Sequence, residues 1–197
     1  MPAVLTETYP IEPKRKRWTR SECAAMEAAG LMDVEQLELV EGELISKMGK
    51  KRPHVNALTF VQAWLVRVFG AEYVNVEAPI DVRPEDNPTN EPVPDVIVLA
   101  RRSREIRMAN PQPDDLRLVV EISDTTLGFD LKTKADLYAS AGIVEYWVFD
   151  VSGRRLIVHR DPQAGRYRSV EVYAADEAVV PLAAPGHNFR IADVLDD

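Results

Sequence analysis

The reading of this chain turns on Leu118-Val119-Val120-Glu121-Ile122-Ser123. Its apolar residues, mostly β-branched, form the kind of short run found in strands that are buried on both faces. A carboxylate inside such a run is seldom fully buried unless something compensates its charge. Upstream, Val96-Ile97-Val98-Leu99 is a second run of this kind, opened by Asp95 directly after Pro94. Two carboxylates converging from neighbouring strands at the sheet edge would suit a hard divalent cation. Mg²⁺ takes oxygen ligands, usually one or two carboxylates plus waters and phosphate oxygens. The alternative is a strand-start Asp that caps a turn and an edge Glu that faces water.

Downstream, strand alternation puts Ser123 on the same face as Glu121. Asp130 is expected to cap a helix from about Leu131 to Ala141, which Gly142 ends. Asp130 and Lys134 are spaced i,i+4 and so share a side of that helix. A lysine there reaches back over the strand end towards a phosphate or a metal-bound water. Its compact charge would stabilise developing negative charge or orient an attacking water, whereas the default for either Lys132 or Lys134 is a solvated helix-start lysine.

Around this segment the chain alternates helical and strand-like patterns. Thr19 and Glu22 have capping-box spacing, so a short helix starts there and stops near Gly30. Leu37–Ile45 reads as a β-hairpin turning at Glu41-Gly42. Apolar positions at helical spacing from Pro53 to Phe69 predict an amphipathic helix ended by Gly70. Strands are expected at Tyr73–Glu77, Ile80–Arg83, Glu145–Asp150, Leu156–Arg160, Arg166–Tyr173 and Val179–Leu182. Pro84–Pro94, with its four prolines, is expected to be a loop. The order predicts an α/β domain with a mixed central β-sheet flanked by helices, with an N-terminal helix and hairpin. Residues 1–17 read as a flexible arm ending in the basic run Lys14–Arg17, either a solvated tail or a phosphate-contacting arm. Residues 18–197 read as one domain, in keeping with 197 residues sharing a core.

Composition removes several classes. The lone Cys23 excludes a disulfide framework and suits a reducing cytoplasm. No apolar run approaches a membrane span, and the first residues lack the apolar middle of a signal peptide. With 24 Lys+Arg against 32 Asp+Glu the net charge is −8, which argues against a protein coated in basic charge but leaves room for a local basic rim. Such a rim is expected from Lys14–Arg17, Lys47–Arg52 and Lys132–Lys134. There is no Cys pair, no GxGxxG, no phosphate-loop lysine motif and no Gly-x-Ser-x-Gly elbow, and His54, His159 and His187 lack metal-ligand spacing.

The ordered series Pro94-Asp95, Val119–Ser123 with Thr126, Asp130, Lys134, Tyr138, Ala141-Gly142 and Glu145–Asp150 resembles a bacterial family, the Uma-two restriction endonucleases of the PD-(D/E)XK nuclease superfamily. Glu38–Leu44 looks like that family's hairpin and His54 like the histidine that opens its next helix. The resemblance spans about Thr19 to Ile191. It implies a restriction-endonuclease-like core in which Asp95 and Glu121 hold Mg²⁺, with Mn²⁺ as the alternative ion, and a lysine completes the site. In the superfamily's usual pattern that lysine stands two residues after the Glu, where this chain has Ser123. The family is similar in lacking the strand lysine, and the resemblance implies that Lys134 substitutes. Asp124 stands where the family commonly has proline. Glu38 reads as an outer carboxylate near the metal or as a hairpin surface residue. His54 reads as a hydrogen-bonding group at the site edge or as a structural helix-start residue. Tyr146-Trp147 reads as core packing ahead of a base-stacking platform.

These readings lead to an expected Mg²⁺-dependent endonuclease acting on DNA, with Asp95, Glu121 and Lys134 catalytic and Glu38, His54 and Ser123 supporting. A homodimer would match the two-fold relation of duplex strands. The rival from another class is an inactive nuclease-fold module that binds protein or nucleic acid. A hydrolase of small phosphorylated substrates would use the same site.

Overall fold

The computed structural model describes residues 15–33, 37–47, 51–82, 87–107 and 109–195. Six strands form the central sheet: β3 (Val74–Val76), β4 (Val96–Leu99), β5 (Leu116–Ser123), β6 (Glu145–Asp150), β7 (Arg155–Gln163) and β8 (Arg166–Ala174), side by side in chain order. Only β5 and β6 run parallel; the other neighbours are antiparallel. A parallel pair needs a long crossover, and the helical segment between Thr126 and Gly142 supplies it. The mixed sheet therefore follows from one helix inserted among hairpin-like connections.

Both faces of the sheet are covered. On one, α2 (Arg52–Phe69) packs Val61, Trp64 and Leu65 against Val96, Val98, Leu118, Val120 and Ile122, with Phe189 and Ile191 closing the layer. Trp64 and Phe189 meet edge to face at 4.9 Å. On the other, α4 (Ala135–Ala141) packs Leu137 and Tyr138 against Ile97, Leu99, Val119 and Val148. Tyr146 and Trp147 are fully buried on opposite faces, as core residues rather than a stacking platform. Burial on both sides is why β4 and β5 read as near-continuous apolar runs.

The N-terminal elements close around one end of the α4 face. Helix α1 (Arg20–Ala28) starts with the expected capping box, Thr19 accepting from the Glu22 amide and Glu22 accepting from the Thr19 amide. Strands β1 (Leu37–Val40) and β2 (Glu43–Ser46) form the hairpin, turning at Glu41 and Gly42, both at positive φ. The hairpin joins the 87–94 loop through paired amide–carbonyl bonds between Leu39 and Glu91 of 3.3 and 2.7 Å. Of the expected arm, residues 1–14 lie outside the described set. Lys16 contacts Glu22 at 2.6 Å, and Arg17 donates to the Glu41 carbonyl.

Three expected boundaries change. Ile80–Val82 is not a strand, and Arg83 lies outside the described residues. The Ile80 and Asp81 amides donate to the Pro92 and Pro111 carbonyls, and proline has no N–H to return the bond and extend a ladder. The expected strand at Val179–Leu182 shrinks to β9 (Ala178–Val179), paired with β10 (Phe189–Arg190). Asp130 is not a helix cap. The helix begins earlier, at α3 (Leu127–Phe129), and passes through a π-helical turn, Asp130–Lys134, into α4, with Gly142 at left-handed φ as its stop.

The hairpin turn yields a stability test. A Cβ on Gly42 would lie 2.8 Å from Arg17 Cβ at a φ of +77, whereas one on Gly128 meets nothing within 4 Å. Gly42→Ala is expected to destabilise by about 1–3 kcal/mol. Gly128→Ala is expected to be stabilising by about 0.4–1 kcal/mol. Urea unfolding of the two variants reads both values.

Candidate active site

Glu121 is positioned by alternation. Leu118, Val120 and Ile122 point to the α2 layer, so Val119, Glu121 and Ser123 point to the α4 layer. Antiparallel pairing of Val96 with Val120 sets Asp95 beside Glu121 on the neighbouring strand. Asp95 Oδ2 accepts the Ile122 amide at 2.8 Å, which ties the carboxylate to the strand that carries Glu121. His54, in the first turn of α2, brings Nε2 to 3.3 Å from the same oxygen.

Lys134 comes from the opposite wall. Its Nζ lies 2.8 Å from Glu121 Oε1 and 3.0 Å from Glu38 Oε2. Glu38 reaches it from β1 and also accepts the Val93 amide at 3.1 Å. Tyr138 donates its hydroxyl to Glu121 Oε1 at 3.1 Å. Glu121, Glu38, Asp130 and Lys134 are exposed by only 5%, 7%, 3% and 3%. Neither the edge Glu facing water nor the surface hairpin Glu38 describes this arrangement. Ser123 is fully buried, 3.4 Å from the Thr126 hydroxyl, which in turn donates to Asp130 Oδ2 at 2.6 Å.

Glu38, His54, Asp95, Glu121, Asp130 and Lys134 line a cavity of about 150 Å³, with Lys47, Lys51 and Asp124 at its rim. Lys51 Nζ is 3.9 Å from Asp124 Oδ2, so the acidic residue at the family's proline position meets a lysine of the rim. Of the expected Lys47–Arg52 rim, residues 48–50 lie outside the described set.

Burial pushes the Glu121 carboxyl well above the usual carboxylate range; Lys134 pulls it back, and Asp95, Asp130 and Glu38 push it up again. Burial likewise raises Asp130, against Lys134 and the Thr126 and Ser123 hydroxyls. Desolvation alone would lower Lys134, but Glu121, Glu38 and Asp130 together outweigh it and leave its pKa raised. Burial is the main cause for the two carboxyls, whereas neighbouring carboxylates are what raise the ammonium.

The sequence reading left Asp130 and two tyrosines out of the site. Asp130, Lys134 and Tyr138 are successive i,i+4 residues, and that spacing was the available signal. Tyr146, read as packing alone, donates its hydroxyl to the Asp130 carbonyl at 3.1 Å and so braces the π turn. Nothing in the local sequence announces the π turn itself.

A mixed sheet covered on both faces, with paired carboxylates on adjacent strands and a lysine over them, defines a restriction-endonuclease-like fold. The Uma2 family, described as "Putative restriction endonuclease", matches residues 25–192. The chain belongs to that family. Among solved structures it is similar to a putative nuclease belonging to DUF820 from Anabaena variabilis ATCC 29413. The two share 20% identity and a TM-score of 0.63, over 86% of this chain and 95% of that one. That likeness speaks for the fold. No curated protein matches the chain. Among the described residues no helix is long and apolar enough to cross a membrane.

The buried cluster makes a stability prediction. Lys134→Met leaves Glu121 and Glu38 without their cation and is expected to cost about 3–5 kcal/mol at neutral pH. Adding Glu121→Gln is expected to recover more than about 1 kcal/mol, as coupling in a double-mutant cycle measured by urea unfolding.

Proposed function

We propose that the protein is a Mg²⁺-dependent endonuclease that hydrolyses phosphodiester bonds in DNA. Membership of the Uma2 family and the nuclease-like fold support a nuclease function. The observation that carries the finer reading is Lys134 Nζ at 2.8 Å from Glu121 Oε1, in a pocket whose other buried charges are carboxylates.

The donor set fits a hard cation. Asp95 and Glu121 offer oxygen only, and Glu121 Oε2 takes no part in the bonds from Lys134 and Tyr138. Among the described residues no three His, Cys, Asp or Glu side chains are grouped to enclose a metal unaided. Mg²⁺ usually binds through one or two carboxylates, keeping several waters and taking the rest of its shell from substrate phosphate. When bound, the ion supplies Lewis acidity that neutralises charge on the scissile phosphate and lowers the pKa of a water. Mn²⁺ would fit the same oxygens.

The chain's own groups do the rest. Asp95 and Glu121 would hold the ion. Tyr138 and the Ile122 amide keep the two carboxylates oriented. Lys134 places a fixed positive charge where negative charge grows on the phosphate oxygens as the bond to water forms. Glu38 holds the other side of the lysine. His54 steadies Asp95. Lys47 and Lys51 at the rim offer charge to flanking phosphates. The working form is a homodimer in the cytoplasm, one site for each strand of the duplex.

One observation favours the rival, a nuclease-fold module without catalysis: Asp124 adds a carboxylate at the rim where phosphate must enter. Plasmid incubated with Mg²⁺ or Mn²⁺ separates the two. Wild type is expected to nick it. Glu121→Ala and Lys134→Ala are each expected to fall by about 10²–10³, and EDTA should abolish cleavage. Equal nicking by all three proteins, or none on any DNA tried together with no calorimetric Mg²⁺ binding, would reject the nuclease.

A further inference from the structure

The cavity around Glu121 and Lys134 has unlike neighbours at its two ends. At Asp124 it meets a cavity of about 460 Å³ lined by Arg52 and Arg154, with Asn56 and Ser152 beside them. At the other end it shares Glu38, Lys47, Glu77 and Val93 with a cavity of about 570 Å³, which lies between α1, the hairpin and residues 77–93. That volume is within the range of small-molecule sites. Its chemistry is the reverse of the Arg52 end. Leu37, Leu39, Leu44, Pro79 and Val93 supply apolar wall. Glu27, Glu38, Glu77 and Glu91 supply carboxylates, against Lys47 as the one cation among the described lining residues. No aromatic ring is among them. Nor are the carboxylates gathered on a single point, since no three of the described acidic, His or Cys side chains are grouped to hold a metal. The walls are tied to the neighbouring site: the Glu77 amide donates to the Asp95 carbonyl at 3.0 Å, and Glu38 lies 3.0 Å from Lys134.

We propose that this cavity receives one unpaired nucleobase of the DNA, from the nucleotide next to the phosphodiester at Glu121, and that it prefers a base carrying an amino group. The proposal rests on the nuclease reading and names the part of the substrate that the site selects. Phosphate does not suit the cavity, because its carboxylates repel one, whereas cations stand at the Arg52 end. A base has no net charge, presents apolar faces to the leucines and proline, and carries N–H donors on its edge. Carboxylates only accept, and they pair with the N4 amino group of cytosine. Thymine is of nearly the same size but sets the O4 carbonyl there, acceptor against acceptor. A base that stays stacked and paired cannot enter such a cavity. Turning it out costs least where it is already single-stranded or mismatched, so the substrate class is DNA with an unpaired nucleotide beside the cut.

Binding is measured with Ca²⁺, another oxygen-seeking cation, in place of Mg²⁺. The wild-type protein is expected to bind a short dT strand with one central dC about tenfold more tightly than an all-dT strand. A duplex with one mismatched 2-aminopurine, whose emission is quenched by stacking, is expected to brighten severalfold, since no aromatic ring lines the cavity to quench it again. Glu27→Lys, at an exposed position of α1, sets an ammonium among the acceptors. It is expected to remove the preference for dC while tightening both strands at low salt; charge acting alone would tighten both and leave their ratio unchanged. Equal affinity of the wild type for the two strands, no binding of either, unchanged emission, or a preference that survives Glu27→Lys would overturn the proposal. Preference and brightening in a protein that nicks no plasmid would count against the nuclease reading alone, whereas nicking without them would remove only the base cavity.

Discussion

The site depends on an imbalance of buried charge. Glu38, Glu121 and Asp130 are almost wholly withdrawn from water, and Lys134 is the only buried Lys or Arg among the described residues. Removing a carboxylate from water costs several kcal/mol unless it is paired and hydrogen-bonded. Here each is. Lys134 spans Glu38 and Glu121, Tyr138 adds a second donor to Glu121, and Thr126 serves Asp130. Even so, the buried carboxylates outnumber the buried lysine. A folded chain holds such an arrangement only where the surrounding scaffold is strong.

That scaffold is the sheet with two covered faces. The apolar layer between α2 and the sheet holds Val96, Val120 and Ile122 in place, and the same strands present Asp95 and Glu121 to the other side. Fixing one face fixes the other, since a one-residue slip would carry Glu121 into the α2 layer and Val120 into the pocket. The Asp95 bond to the Ile122 amide adds a local lock on that register. On the far wall, Tyr138 and Tyr146 are packed edge to face at 5.0 Å, and their hydroxyls reach Glu121 and the Asp130 carbonyl. Core packing and site geometry thus use the same residues.

How much of this was legible in the sequence follows from which interactions are local. The capping box at Thr19, the Glu41-Gly42 turn, the α2 periodicity and the apolar runs of β4 and β5 are signals within a few residues, and the elements formed where those signals stood. The expected strand at Ile80 failed because its partners are prolines more than ten and thirty residues away, whose missing N–H matters only once the loops meet. Glu38 shows the same limit. Its neighbours in the hairpin leave surface and site roles equally open, and the choice is made by Lys134 and the Val93 amide, far along the chain. Asp130 was misplaced for a different reason. An acidic residue ahead of an apolar helix looks like a cap, and the turn before it, Leu127–Phe129, is too short to carry a periodic pattern of its own.

The π turn explains how a lysine on a helix stands over a carboxylate on a strand. In an α-helix of 3.6 residues per turn, residues four apart drift steadily around the axis. The wider i→i+5 turn at Asp130–Lys134 offsets that drift, so Asp130 and Lys134 line the pocket and Tyr138 still reaches Glu121. The Asp130 carbonyl receives both the Ala135 amide and the Tyr146 hydroxyl, which satisfies the irregular turn from the sheet side. A lysine at position 123 would reach Glu121 along its own strand but would have to be buried where Ser123 is now enclosed against Thr126. The helix route keeps the charge and leaves the strand end small. It also lets one lysine serve Glu38 as well as Glu121, tying the N-terminal hairpin to β5. The net charge of −8 therefore misleads when read as a surface average. Part of it lies in this pocket, where Glu38, Glu121 and Asp130 are buried around a single lysine.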